Sequence, residues 1–136
     1  MGDRVNVAFR TDSDSYVHVW LYSHSCGHEM PAMLLAAMKT RAAQSRLNDA
    51  SYLCRILLDR LITNHTEETG YGISTSIGDN EYPVIEVDIP AEMIRVRPFD
   101  FGEAWEVKWV EPPLFQQSFA EFIKRDSFDW DAAKGV

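Results

Sequence analysis

The chain has 136 residues, of which 46% are hydrophobic and 25% charged, so one compact domain with a buried core is expected and a disordered polyelectrolyte is excluded. A net charge of −8 argues against a surface that grips long nucleic acid, although a local arginine cluster can sit inside an acidic whole. Two cysteines, Cys26 and Cys54, are too few for a disulfide framework, and no charged stretch followed by an apolar one opens the chain. A reduced, cytoplasmic setting is therefore expected. The longest apolar stretch, 52–62, is broken by Arg55, Asp59 and Arg60 and falls short of the roughly 20 residues of a membrane span, so no membrane partner is expected.

Residues 4–10 alternate with Val5, Val7 and Phe9 on one face, and the polar run 11–15 supplies a turn. The second strand of this hairpin, 16–22, puts Val17, Val19 and Leu21 on a core face and Tyr16, His18, Trp20 and Tyr22 on an aromatic stripe. Such a stripe packs under helices or at a subunit interface more often than it stacks bases. The loop 23–29 leads into an alanine- and methionine-rich helix over 30–46, with Pro31 in its first turn. Asn48 or Asp49 can cap a second helix over 50–63, whose apolar arc of Leu53, Ile56, Leu57 and Leu61 is widened by Cys54, Leu58 and Ile62. That surplus suggests burial on two sides, one of them another subunit.

A second hairpin is expected over 71–89, turning at Gly78-Asp79-Asn80, with Pro83, Ile85, Val87 and Ile89 sharing a face. Strands follow at 93–97 and 104–110, Pro112 and Pro113 end the sheet, and 113–126 supplies a last amphipathic helix through Leu114, Phe115, Phe119 and Phe122. The predicted fold is α+β, with a largely antiparallel sheet of five or six strands packed with a helical hairpin and a C-terminal helix. The ligand-binding domain is expected over 1–125, with 126–136 as a tail that frays or packs on a partner.

Zinc-type ligands occur at His24, Cys26, His28 and Glu29, but the spacing lacks a second, distant pair, and a hydrogen-bonded loop is the simpler reading. No metal site is expected. Ser25 beside His24 has no nucleophile-elbow context, and His24-Ser25-Cys26 and His65-Thr66-Glu67 do not make the two His-x-Ser/Thr units of a phosphodiesterase. Glu67-Glu68 reads as a solvated pair. No catalytic residue and no cofactor are expected.

Binding chemistry is better represented. A small phosphorylated nucleotide wants an aromatic plane, amide or carboxylate groups for base and ribose, and a few arginines for phosphate. Tyr71 opens a strand, Asp79 and Asn80 occupy a turn, and Arg95 and Arg97 alternate on one strand face. Each also has an ordinary structural reading, as a strand start, a turn position or a solvated sheet face.

LYSHSCGHEMP ahead of an alanine-rich helix, then RLNDASYLCRIL, ETGYGIS and DNEYPVIEVD, resembles small bacteriophage proteins of the Thoeris anti-defence sponge family. The likeness runs from about Val19 to Asp88, and more faintly to Arg97; relatives carry a His-Trp-Gly-Gly-like form where His24-Ser25-Cys26-Gly27 stands. The resemblance implies a non-enzymatic sponge that sequesters cyclic ADP-ribose isomers in the host cytoplasm and keeps the downstream effector silent. It further implies a homo-oligomer, dimer or hexamer, and in some members a separate arginine-lined site for cyclic oligonucleotides. On these grounds Tyr71 would stack on adenine, Asn80 would hydrogen-bond the ligand, Arg46 and Arg97 would contact phosphate, and Asp79 and His24 would be lesser contributors. The competing readings are a phosphodiesterase or hydrolase that degrades such a signal, and an acidic inhibitor of a host protein.

Overall fold

Alternating apolar residues make a sheet that buries one face under helices and leaves the other for a smaller, partly charged layer. The structure, a computed structural model, describes residues 3–65, 67 and 69–133. Thr66, Glu68 and the last three tail residues, 134–136, lie outside the described residues. β1 (Val5–Arg10) and β2 (His18–Ser23) form the expected antiparallel hairpin, with Val5, Val7, Phe9 and Leu21 fully buried on the helical side. Tyr16 and Val17 precede the strand and are exposed, so Val17 does not join the core face assigned to it.

The predicted 30–46 helix is two helices. α1 (Met30–Met38) ends where Thr40 turns extended, and α2 (Arg41–Gln44) restarts with the Thr40 hydroxyl accepting from the Ala43 N–H at 3.3 Å. A threonine that caps a new turn competes with helix continuation. α3 (Ala50–Ile62) follows closely as predicted, and its arc of Leu53, Cys54, Ile56, Leu57 and Leu61 is buried by its own chain. Among the described residues no helix is long and apolar enough to cross a membrane.

β3 (Tyr71–Ser74) and β4 (Val84–Asp88) do not form the expected hairpin. β3 pairs antiparallel with β2, and β4 runs parallel to β1. The connecting segment crosses the outer face instead of turning back, because the buried Asn6 side chain donates to the Gly78 and Asp79 carbonyls at 3.3 and 3.1 Å and accepts from the Gly78 N–H at 2.9 Å. β5 (Met93–Arg97) pairs with β4 as an antiparallel neighbour.

The strand expected over 104–110 is one leg of a two-stranded arm, β6 (Phe99–Phe101) and β7 (Val107–Trp109), which folds over the outer face. The sheet does not end at the prolines, since β8 (Phe115–Ser118) pairs with β5 inside the span predicted as helix. Only α4 (Phe119–Phe122) is helical there, started by Ser118 accepting from the Glu121 N–H at 3.2 Å. The six-stranded order is β3-β2-β1-β4-β5-β8, an α+β sheet that is antiparallel except at β1–β4.

The C-terminal segment neither frays nor awaits a partner over its described length. Phe128 packs against Phe115 and Phe122 with ring centroids 4.9 and 5.0 Å away. α5 (Trp130–Ala133) stacks Trp130 on Tyr82 at 4.5 Å, and its indole N–H donates to the Gly27 carbonyl at 2.7 Å. An apolar aromatic pair with a satisfied indole N–H is a stable anchor.

Candidate functional site

On the outer side of the helical layer, α2 and α3 leave an open groove of about 480 Å³. Helical spacing puts Tyr52, Arg55, Asp59 and Arg60 along its α3 wall, while Ser45 and Arg46 form the facing edge after α2. The Arg46 guanidinium lies 4.8 Å from the Tyr52 ring centroid and 3.2 Å from Asp49. Arg55 pairs with Asp59 at 2.7 Å, and Arg60 makes no ion pair with any described residue. Exposed pairs of this kind contribute little to stability, and a guanidinium can take phosphate oxygens bidentately. The groove therefore gathers three guanidinium groups, an aromatic plane and hydroxyl and carboxylate groups in one place.

Of the residues expected to bind ligand, only Arg46 lies in this groove. Arg97 and Arg95 share the outer sheet face as predicted, but carboxylates engage both. Arg97 lies 3.2 Å from Glu86, also bonds Glu111, and sits 4.6 Å over the Trp109 ring. Arg95 reaches Glu86 at 3.2 Å and Asp88 at 2.6 Å. The open basic recess expected from these two arginines is thus a closed ion-pair network, because Glu86 lies directly opposite Arg95 on the adjacent strand and Asp88, two residues further along, shares the same face.

No known protein family, curated protein or solved structure matches this chain. The site is therefore read from its own chemistry.

Tyr71 sits on the helical side at the sheet edge, opposite Ser23, with its ring 5.2 Å from that of His65, two residues beyond the groove's end at Thr63. Asn80 donates to the Tyr82 carbonyl, and its buried Oδ1 has no hydrogen-bond partner among the described residues. Asp79 bonds Arg4 at 3.1 Å on the opposite, outer face. His24 shares a 3.1 Å hydrogen bond between its Nδ1 and the Tyr22 hydroxyl. The fold does not bring these residues to one point. Tyr52, Arg55 and Arg60 were legible only as the polar side of an amphipathic helix, and nothing in their spacing alone separates a groove wall from a solvated face.

The zinc-type residues of the 23–29 loop also diverge. Cys26 is buried, and His28 turns to Asp3, whose carboxylate accepts from the His28 backbone N–H at 2.9 Å and from its Nδ1. Among the described residues no three His, Cys, Asp or Glu side chains are placed to share a metal ion. Burial pushes the Cys54 thiol up to about 11, which disfavours a thiolate nucleophile there.

Asp3 also accepts from the Tyr82 hydroxyl, so one carboxylate ties the N-terminus, the loop and the Trp130 anchor together. Burial works against the Asp3 charge, but the bonds from Tyr82 and His28 outweigh it and hold its carboxyl below the usual range. The same bond to Asp3 raises His28 above its ordinary 6.5. A raised histidine stabilises fully below its unfolded value, and the contribution disappears as pH rises through the folded value. The melting-temperature gap between the native chain and His28→Asn should therefore be widest below pH 6.5 and close on alkalinisation; a gap independent of pH contradicts this clamp.

Gly27 is required for the same contact. A Cβ there would lie 2.4 Å from the Tyr82 ring and 2.6 Å from the Asp3 carbonyl oxygen. Gly27→Ala should destabilise by about 1–3 kcal/mol in thermal denaturation, the usual range for overpacking against atoms that cannot step aside.

Proposed function

We propose that the protein binds and sequesters a cyclic nucleotide immune signal of the cyclic ADP-ribose type without cleaving it, as a phage anti-defence sponge in the cytoplasm of the infected bacterium. The observation that carries this reading is the convergence of Arg46, Arg55 and Arg60 with Tyr52 on one groove. Guanidinium groups take phosphate oxygens bidentately, a tyrosine ring offers a plane for a base, and Asp59 and Ser45 suit ribose hydroxyls. A volume near 480 Å³ falls in the range of sites that enclose small ligands. The sequence likeness between Val19 and Asp88 supplies the ligand class. Sequestration requires complementarity to the ground state of the ligand, so no acid–base pair is needed. The proposal includes a homo-oligomer, which the resemblance implies; the buried arc of α3 adds nothing to it, being covered by its own chain.

Calorimetric titration tests the reading. A cyclic ADP-ribose isomer should give saturable heat that weakens with salt, while a long single-stranded oligonucleotide should give none. Absence of saturable binding by cyclic ADP-ribose isomers overturns it.

A further inference from the structure

On the opposite face of the sheet, β2, the 75–79 segment and the β6–β7 arm enclose a second, larger cleft of about 980 Å³. We propose that this cleft is a binding site for a planar heteroaromatic cation. Trp20 and Trp109 lie in it with ring centroids 6.2 Å apart and planes 19° from parallel, and Tyr16, just before β2, and Trp105, at the tip of the arm, line it from two sides. Tyr16 is 86% and Trp105 79% exposed, so both rings are open to a ligand. Rings with exposed faces attract cations through their quadrupole, and several around one site make the usual cage for an organic cation.

The arm's tip adds a second observation. Ala104 and Trp105 both have positive φ, 56° and 61°, a left-handed backbone that neither side chain favours. Strained backbone kept at a cleft edge is a feature of ligand clamps, and here it holds an indole in water beside the cavity.

Charge selects the cation over an anion or a neutral ring. Asp79 shares Arg4 with Glu81, two carboxylates to one guanidinium, and the Glu106 side chain makes no ion pair with any described residue. No described lysine or arginine lines the cleft. The arginines beneath it are matched, Arg10 by Asp88, and Arg95 and Arg97 by Glu86, Asp88 and Glu111. Two of them already lie on aromatic faces here, Arg10 at 5.1 Å over Tyr16 and Arg97 at 4.6 Å over Trp109. The carboxylates lining the cleft are thus Asp79, whose Arg4 partner is shared with Glu81, and Glu106. A phosphate-bearing nucleotide would meet carboxylates and no unpaired cation, so this site is chemically distinct from the anion groove and its occupancy does not depend on that groove.

Calorimetry at pH 8 with 1-methylquinolinium, quinoline and an acetylated arginine amide tests the proposal. The methylated cation should bind saturably, about tenfold or more tighter than neutral quinoline or the arginine amide. Trp105→Ala, at an exposed position that leaves folding intact, should weaken the cation about tenfold, Trp105→Phe should restore most of the loss, and Glu106→Gln should narrow the preference over quinoline. Equal affinity for quinoline overturns the assignment of charge. Tighter binding of the arginine amide assigns the cleft to a peptide side chain instead. No saturable binding, or a Trp105→Ala variant that binds as well as the native chain, removes the site. Failure of cyclic ADP-ribose capture would leave each of these results unchanged.

Discussion

Glu86→Ala should lose about 3–5 kcal/mol of unfolding free energy, the range seen when one partner of a buried ion pair is removed and the others keep their charge. Glu86 is 2% exposed, with one oxygen 2.7 Å from His18 Nε2 and the other 3.2 Å from both Arg95 and Arg97. Truncation leaves His18 without this partner and deprives two nearly buried guanidinium groups of a shared carboxylate. Burial alone would raise the Glu86 carboxyl, but the His18 bond, the Arg97 charge and the Arg95 bond outweigh it and hold it below the usual range. A lowered carboxylate stabilises above its unfolded value, and the contribution is lost as pH falls through the folded value. The native chain should therefore lose stability on acidification below about pH 4.5, and Glu86→Ala should lack that part of the acid response. Urea denaturation at neutral and acid pH checks both; a loss under about 1 kcal/mol would mean that Asp88 and Glu111 suffice for the network.

Reversing charge in the groove between α2 and α3 should have the largest effect on the proposed binding. Hydrogen bonds to charged groups contribute about 1.5–3 kcal/mol each, so replacing both Arg46 and Arg60 with glutamate should weaken a diphosphate ligand at least about a hundredfold. Both side chains are exposed, and exposed substitutions away from special contacts usually shift stability by no more than about 0.5 kcal/mol. Arg46 alone gives up its Asp49 pair and its place over Tyr52, which are surface contacts. Lost capture with an unchanged melting temperature is the expected pair of results. Undiminished capture would place the ligand elsewhere, with the Tyr71–His65 edge the next region to vary.

Where local pattern and tertiary contact agreed, the sequence was readable. The β1–β2 hairpin and α3 carry clear periods of 2 and 3.6, and both appear close to their predicted bounds. Gly78-Asp79-Asn80 is a strong local turn signal, yet no hairpin forms there, because the side chain of Asn6, more than 70 residues earlier, holds that segment across the sheet. Phe115, Phe119 and Phe122 fit a helical stripe, but β8 takes the first of them into the sheet, and Ser118 starts the helix late. Such long-range overrides leave no local trace.

The site was legible by residue type and not by position. Of the arginines named from the sequence, Arg46 lies in the groove beside an aromatic ring and a carboxylate, whereas Arg97 is engaged by Glu86 of the neighbouring strand and by Glu111. Pairing across a sheet depends on strand order, and that order was misread where β4 joins β1. Tyr52, Arg55 and Arg60 were hidden because an exposed charged face of a helix is the default state of such residues.

Sequestration without cleavage is the central claim, and heat release tests it most directly. The protein is mixed with a cyclic ADP-ribose isomer, freed of unbound ligand, heat-denatured, and the supernatant analysed by mass spectrometry. The account predicts recovery of the intact cyclic molecule in proportion to the protein, and recovery of a linear or fragmented product, or of no ligand, would contradict it.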